Sequence, residues 1–238
     1  MELKYKGKIK MEIKENTVYN CDCLELMREM EKQGIVADCL LTDIPYGVVN
    51  RNMNGIKNIS YDKGNADIET FDLSNYLSLV DKVVSGVFLI FCGTEQVSEI
   101  RKFFVSKGYS TRLLIWEKSS SAPINGQYIY LSNIECCVYA KKSGGTFNAF
   151  CKGCVFKTNT NKDSIHPTQK PLELWYELLR DNTNEGQLVL DTCMGSFTTA
   201  VACHKMGRRY IGAELDKEYF DKGAERLNKV KSQISFFD

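Results

Sequence analysis

Asp43, Ile44, Pro45 and Tyr46 follow the apolar run Val36 to Leu41 and together make a device for holding a flat ring that carries an amino group. The residue before a proline is driven out of the helical region, so Ile44 is expected to be extended with its carbonyl held in one direction. That carbonyl and the Asp43 carboxylate can accept both hydrogens of an exocyclic amine, which favours a nitrogen on which positive charge grows. Tyr46 offers a face for a base to stack on, as enzymes do when they hold a base taken out of a duplex. The chemistry that suits such a tetrad is electrophilic attack on a nucleobase amine. A turn that merely closes a strand is the plainer alternative, and the tetrad alone does not decide between them.

The elements that must position these residues can be read around them. Val36 to Leu41 is a short buried run stopped by a proline, so it predicts a strand with the tetrad at its carboxyl end. In open α/β sheets ligands bind in the crevice beyond such strand ends. Far downstream, Leu188, Val189 and Leu190 lead into Asp191 to Thr199, which reads as strand, tight loop and helix. That helix, about Phe197 to Met206, stops at Gly207, and Arg209 to Ala213 follows as a strand ending in Glu214, Leu215 and Asp216. An acidic residue about twenty positions after a loop at a helix amino terminus describes a nucleoside site, the acid binding ribose hydroxyls. A purely structural αβ unit is the alternative.

With both segments in view, the stretch from His166 to Leu227 resembles the carboxyl-terminal half of β-class DNA amino-methyltransferases, the N6-adenine/N4-cytosine family that uses S-adenosylmethionine. His166, Pro167, Thr168, Gln169, Lys170 and Pro171 resemble the segment that contacts the methionine end of the cofactor. Asp191, Thr192, Cys193, Gly195, Ser196, Phe197 and Thr198 resemble the cofactor loop, Glu214 and Leu215 the ribose-binding strand end, and Asp43 to Tyr46 the catalytic tetrad. Tyr19 to Leu24 is similar to a segment near the adenine, where Asp22 would take part. The order, tetrad first and cofactor loop last, is that of the β class. The resemblance implies an α/β, Rossmann-like methyltransferase fold with a circularly permuted seven-stranded mixed sheet and helices on both faces. It spans roughly residues 17 to 231 and is weakest between 47 and 75 and between 118 and 165.

Three departures fall in the binding motifs. Ile44 stands where the family usually has proline, but the group used is a backbone carbonyl that Pro45 still restrains. Thr192 and Cys193 stand where proline and an aromatic are usual, and Phe197 where a second glycine is common. Glycine there lets backbone approach a ligand. Either Phe197 fills the space vacated at Cys193, or cofactor binding is weakened.

Composition suits one intracellular domain over residues 1–238, long enough for a substantial core. Met1 to Lys14 is rich in lysine and glutamate, so no signal segment is expected, and no run reaches membrane-spanning length; the expectation is a soluble, cytoplasmic protein. The ten cysteines fall largely inside apparent strands and read as reduced thiols, and Cys151 and Cys154 form a lone pair too small for zinc, so no metal is expected. Net charge is +1 from 31 basic and 30 acidic residues, so only the distribution of charge can speak for nucleic acid. Lys141, Lys142, Lys152, Lys157 and Lys162 lie in a stretch without acidic residues, interspersed with Phe147, Asn148, Phe150 and Phe156. This suits a small recognition segment within 118–165 that touches phosphates and reaches bases. The irregular segment 47–75, with Arg51 and Lys57, could close over the flipped base. Solvated loops are the alternative for both.

Scaffold is expected at Leu24 to Gln33 (helix, stopped by Gly34), Val87 to Cys92 (strand), Gly93 to Lys107 (helix), Thr111 to Trp116 with Ile134 to Ala140 (antiparallel hairpin), Leu172 to Leu179 and Asp216 to Lys231 (helices). Taken together, the resemblance implies methyl transfer from S-adenosylmethionine to adenine N6 of double-stranded DNA. Aspartate at the first tetrad position goes mostly with adenine in this family. A cytosine N4 or RNA amino-methyltransferase, and a catalytically dead DNA-binding relative, are the competing readings. A homodimer and a cognate restriction endonuclease are left open.

Overall fold

A computed structural model describes residues 11–46, 71–119, 128, 130–159 and 169–234. The strands are β1 (Thr17–Tyr19), β2 (Ala37–Asp43), β3 (Val84–Cys92), β4 (Ser110–Lys118), β5 (Ile134–Lys141), β6 (Val155–Thr158), β7 (Leu188–Asp191) and β8 (Arg209–Ala213). The helices are α1 (Cys23–Gln33), α2 (Leu73–Val83), α3 (Val97–Ser106), α4 (Leu172–Asn182), α5 (Thr198–Lys205) and α6 (Lys217–Ile234). None of the described helices is long and apolar enough to cross a membrane.

The strands form one mixed sheet in the order β1-β8-β7-β2-β3-β5-β4-β6. Strands β1, β8, β7, β2 and β3 run parallel, and β5 is antiparallel to both β3 and β4. Because strands buried on both faces have no polar side, β2 and β3 are nearly continuous apolar runs. Alternate residues feed two cores. Leu40, Phe88, Ile90 and Ile211 meet α1, α2 and α3 on one face; Leu41, Leu89, Val189 and Tyr210 meet α4, α5 and α6 on the other.

Among the described residues the expected seven strands are therefore eight. The addition is β6, which pairs in parallel with the outer edge of β4 inside the proposed recognition segment. Its alternation explains it: Phe156 and Thr158 turn inward, Thr158 Oγ1 accepting from Trp116 Nε1 at 2.9 Å, while Val155 and Lys157 face out. Phe156 is thus core, and Asn148 is spent on the α4–β7 turn through Arg180, Thr183 and Asn184, so neither is available to reach bases.

Helix boundaries follow their caps. Asp22 caps α1 by accepting from Leu24 N and Glu25 N, and Gly34 ends it in the left-handed conformation at φ 67°. Helix α3 begins four residues later than the expected Gly93, because 93–96 form a turn closed by Gln96 N on Gly93 O. Helix α2, absent from the sequence reading, buries Leu73, Tyr76, Leu77, Val80 and Val83 at helical spacing and occupies the end of the expected 47–75 loop.

Strands β7 and β2 are neighbours, yet the connection from β7 crosses one face through α5 and that into β3 the other through α2. This is the point where an open sheet leaves a crevice at its carboxyl rim. Asp43 ends β2 and Asp191 ends β7, so the crevice lies between them.

Candidate active site

On the β2 lip, the tetrad is held by backbone and side chains together. Ile44 is buried, its N–H donating to Phe91 O at 3.1 Å, and Gln96 Nε2 clamps Pro45 O at 3.0 Å. Tyr46 Oη lies 3.0 Å from both Asp43 Oδ1 and Glu135 Oε2. Lys170 Nζ donates to Asp43 Oδ2 and, at 2.9 Å, to Glu135 Oε2, while Lys118 Nζ holds Glu135 Oε1 at 2.6 Å. Two carboxylates and two ammonium groups thus form one half-buried network, in which the Lys170 side chain is only 4% exposed.

Burial dominates at Asp43 and lifts its carboxyl above the ordinary range, against the pull of Lys170. Burial would also raise Glu135, but Lys170 and Lys118 overcome it and hold that carboxyl at about 2. Lys170 would be lowered by burial and is instead held above its usual range by its two carboxylates. Desolvation raises Tyr46 well out of reach of ionisation, so it acts as a hydroxyl donor.

On the β7 lip, Asp191 Oδ2 accepts from Thr199 Oγ1 at 2.5 Å, which in turn receives Trp175 Nε1 at 2.6 Å, and Asp191 Oδ1 accepts from Cys193 N at 3.1 Å. Burial pushes Asp191 up to about 6. Thr192 departs from the family's proline, and its hydroxyl is used: it bonds Thr42 Oγ1 at 3.0 Å and Tyr76 Oη at 2.8 Å, tying the loop to the residue before Asp43. Gly195 N donates to Glu214 Oε2 at 2.6 Å and Asp216 N to Glu214 Oε1 at 2.9 Å. Asn20 Nδ2 caps the carbonyls of Glu214 and Leu215, whose own side chain is exposed.

Phe197 does not fill the space next to Cys193. It caps α5 with φ 61°, and its buried ring turns to the opposite face of the sheet, edge-on to Phe220 at 5.6 Å and against Gly223. Cys193 packs on the other core. The compensation idea is thereby corrected: Phe197 keeps the left-handed turn that favours glycine and buries its ring under α6. Ser196 and Thr198 are likewise turned to α6, where Arg226 Nη1 donates to Ser196 O at 2.7 Å and Thr198 Oγ1 at 3.1 Å. These contacts to Arg226 anchor the loop to α6.

The structure brings Asp43, Ile44, Pro45, Tyr46, Asp22, Lys170, Asp191 to Thr198, Glu214 and Leu215 to one rim of the sheet. Lys170, expected at the methionine end of the cofactor, bonds Asp43. The expected phosphate-contacting lysines divide: Lys141 opposes Val87, four residues from the Phe91 that pairs with Asp43, or about 13 Å along the strand. Lys142 bonds Asp81 O and Val84 O at that far rim, and Lys152 bonds Glu177 and Asp181 near the end of α4. Only Lys157, paired with Glu117 and 62% exposed, lies on the outer edge near the tetrad rim. Arg51, Lys57, His166, Pro167 and Thr168 lie outside the described residues. Sequence reasoning missed Glu135, Lys118, Thr42, Tyr76, Gln96 and Arg226; only Glu135, a carboxylate opening an apolar strand, left a signal.

A central crevice at a topological switch point, lined by an aspartate-proline-tyrosine turn and a loop bonded to a strand-end glutamate, defines a Rossmann-like methyltransferase. A family model described as DNA methylase, of the N6/N4 type, matches residues 149–225. The type II methyltransferase M2.LlaDCHI of Lactococcus lactis subsp. cremoris is 24% identical over 91% of both chains. The structure of M1.HpyAVI in complex with S-adenosylmethionine superposes with a TM-score of 0.70 at 26% identity, covering 89% of this chain and 99% of that one. The cytosine-N4-specific PvuII DNA methyltransferase shares the fold, with a TM-score of 0.66 at 16% identity over 92% of both chains. In family model, relatives and fold alike, the chain is similar to the β-class N6/N4 DNA amino-methyltransferases.

Proposed function

We infer that this DNA amino-methyltransferase acts on adenine N6 of a base flipped out of duplex DNA, with S-adenosylmethionine as methyl donor. The observation that carries it is Asp43 at the end of β2, inside the crevice and beside the restrained Ile44 backbone and Tyr46. The cofactor brings an already activated sulfonium methyl, so the protein's task is alignment and stabilisation of the charge that develops.

The residues of the β7 lip suit this cofactor. Each oxygen of Glu214 accepts one backbone N–H and retains capacity for a ribose hydroxyl, and Asp22 stands at the start of α1 on the same rim. Asp43 and the Ile44 carbonyl would accept the two amine hydrogens, and Tyr46 would stack on the base. No strong general base is required, because the proton leaves after transfer, once the nitrogen is cationic.

The test is to incubate the protein with isotope-labelled S-adenosylmethionine and unmethylated duplex DNA and identify labelled nucleosides by mass spectrometry. Deoxy-N6-methyladenosine is the expected product. N4-methyldeoxycytidine would retain the mechanism and overturn the choice of adenine, and label absent from DNA but present in RNA offered in a parallel incubation would overturn the DNA substrate.

A further inference from the structure

The acceptor that the base amine needs already carries two donors: Asp43 Oδ1 is beside Tyr46 Oη, and Oδ2 holds the ammonium of Lys170. An amine hydrogen must share an oxygen with one of them or displace it, and Lys170 is the donor whose positive charge opposes a nitrogen that becomes cationic. Displacing a buried ammonium without a partner would leave an uncompensated charge, a strongly unfavourable state. Here a partner is in place, since Lys170 already reaches Glu135 Oε2 at 2.9 Å, and Glu135 is pinned from its other side by Lys118.

We propose that Lys170 is an exchangeable plug in the base pocket and that Glu135 is the positioning residue that receives it, the ammonium passing wholly to Glu135 as the target amine takes its place on Asp43. The charge logic favours the exchange. With Lys170 bound, the charge of Asp43 is neutralised locally; once Lys170 is on Glu135, Asp43 faces the amine as an unshared carboxylate, the form that best stabilises the cationic nitrogen. The persistently ionised state of Glu135 suits it as the receiver. Tyr46 is bonded to both carboxylates and can follow Asp43 or Glu135 during the exchange.

The proposal rests on the assignment of Asp43 as amine acceptor, so Asp43→Ala belongs in the same experiment. Single-turnover transfer of labelled methyl into unmethylated duplex DNA is measured for Glu135→Gln, for Lys170→Met and for the double variant, with cofactor affinity followed by calorimetry. Glu135→Gln is expected to slow transfer about 10- to 100-fold, because the displaced ammonium meets only a neutral amide, while cofactor affinity stays within about threefold. Adding Lys170→Met should recover at least about tenfold, since no ammonium then needs a receiver. A purely structural Glu135 would show no such rescue. Wild-type rate in Glu135→Gln, or a double variant as slow as Glu135→Gln, overturns the exchange. Should Glu135→Gln fail to fold, Glu135→Asp carries the same comparison, slowed and relieved by Lys170→Met. Active Asp43→Ala would instead sink the Asp43 assignment; inactive Asp43→Ala with no rescue sinks the exchange alone.

Discussion

The β2 lip and the β7 lip stand side by side at the same rim, yet charges hold the first and neutral hydrogen bonds hold most of the second. Around Asp43, two ammonium groups are shared by two carboxylates. Around Thr192 and Gly195, hydroxyls and backbone N–H groups tie the loop to Thr42, Tyr76 and Glu214. Ion pairs can exchange partners when a polar ligand arrives, whereas a satisfied network of hydroxyls fixes geometry in advance. The lip assigned to chemistry is built to rearrange, and the lip assigned to the cofactor is built to stay.

Perturbing each lip should therefore give different symptoms. The largest effect is expected from Asp43→Ala, which should remove detectable methyl transfer in the labelled-DNA assay while leaving a folded protein, because it empties the acceptor without touching the loop. Thr192→Val strips two buried hydroxyl contacts and strands Tyr76 and Thr42, so thermal or urea denaturation should show a loss of about 2–3 kcal/mol.

Asp191 is the carboxylate at the end of β7 in the rigid lip, and it should announce itself by pH. Its folded pKa of about 6 lies above the unfolded value, so the stability that comes from protonation is present at low pH and is lost as pH rises through 6. Relative to Asp191→Asn, the ligand-free protein should lose on the order of 2–3 kcal/mol between pH 4 and 7, read by denaturant titration at each pH. The smallest effect is expected behind the loop. A methyl group at Gly223 would fall 2.3 Å from the Phe197 ring, so Gly223→Ala should destabilise by about 1–3 kcal/mol and lower the melting temperature.

The contrast also explains what the sequence revealed. Residues that act through backbone geometry or strand position were legible: Asp43 at a strand end before a proline, Glu214 at the end of β8, Gly34 and Gly207 as helix stops. The β8 boundaries at Arg209 and Ala213 matched because apolar character and a flanking glycine mark them. Side-chain partnerships across distant elements were not legible. Nothing near Lys170 foretells that its ammonium meets Asp43 and Glu135, 127 and 35 positions away, and nothing at Thr192 foretells Thr42, 150 positions distant. The lysines between 141 and 157 looked alike in sequence; antiparallel β5 carries Lys141 and Lys142 to the far rim, and β6 leaves Lys157 near the tetrad rim. Phe156 was misread because a four-residue edge strand has too short an alternation to stand out.

The division of labour between the lips is tested most directly by calorimetric titration of S-adenosylmethionine into wild type, Asp43→Ala and Glu214→Ala. Asp43→Ala should bind within about threefold of wild type, and Glu214→Ala at least about tenfold more weakly, having lost the ribose acceptor and the Gly195 contact. Cofactor binding that fails in Asp43→Ala, or survives intact in Glu214→Ala, would contradict the account.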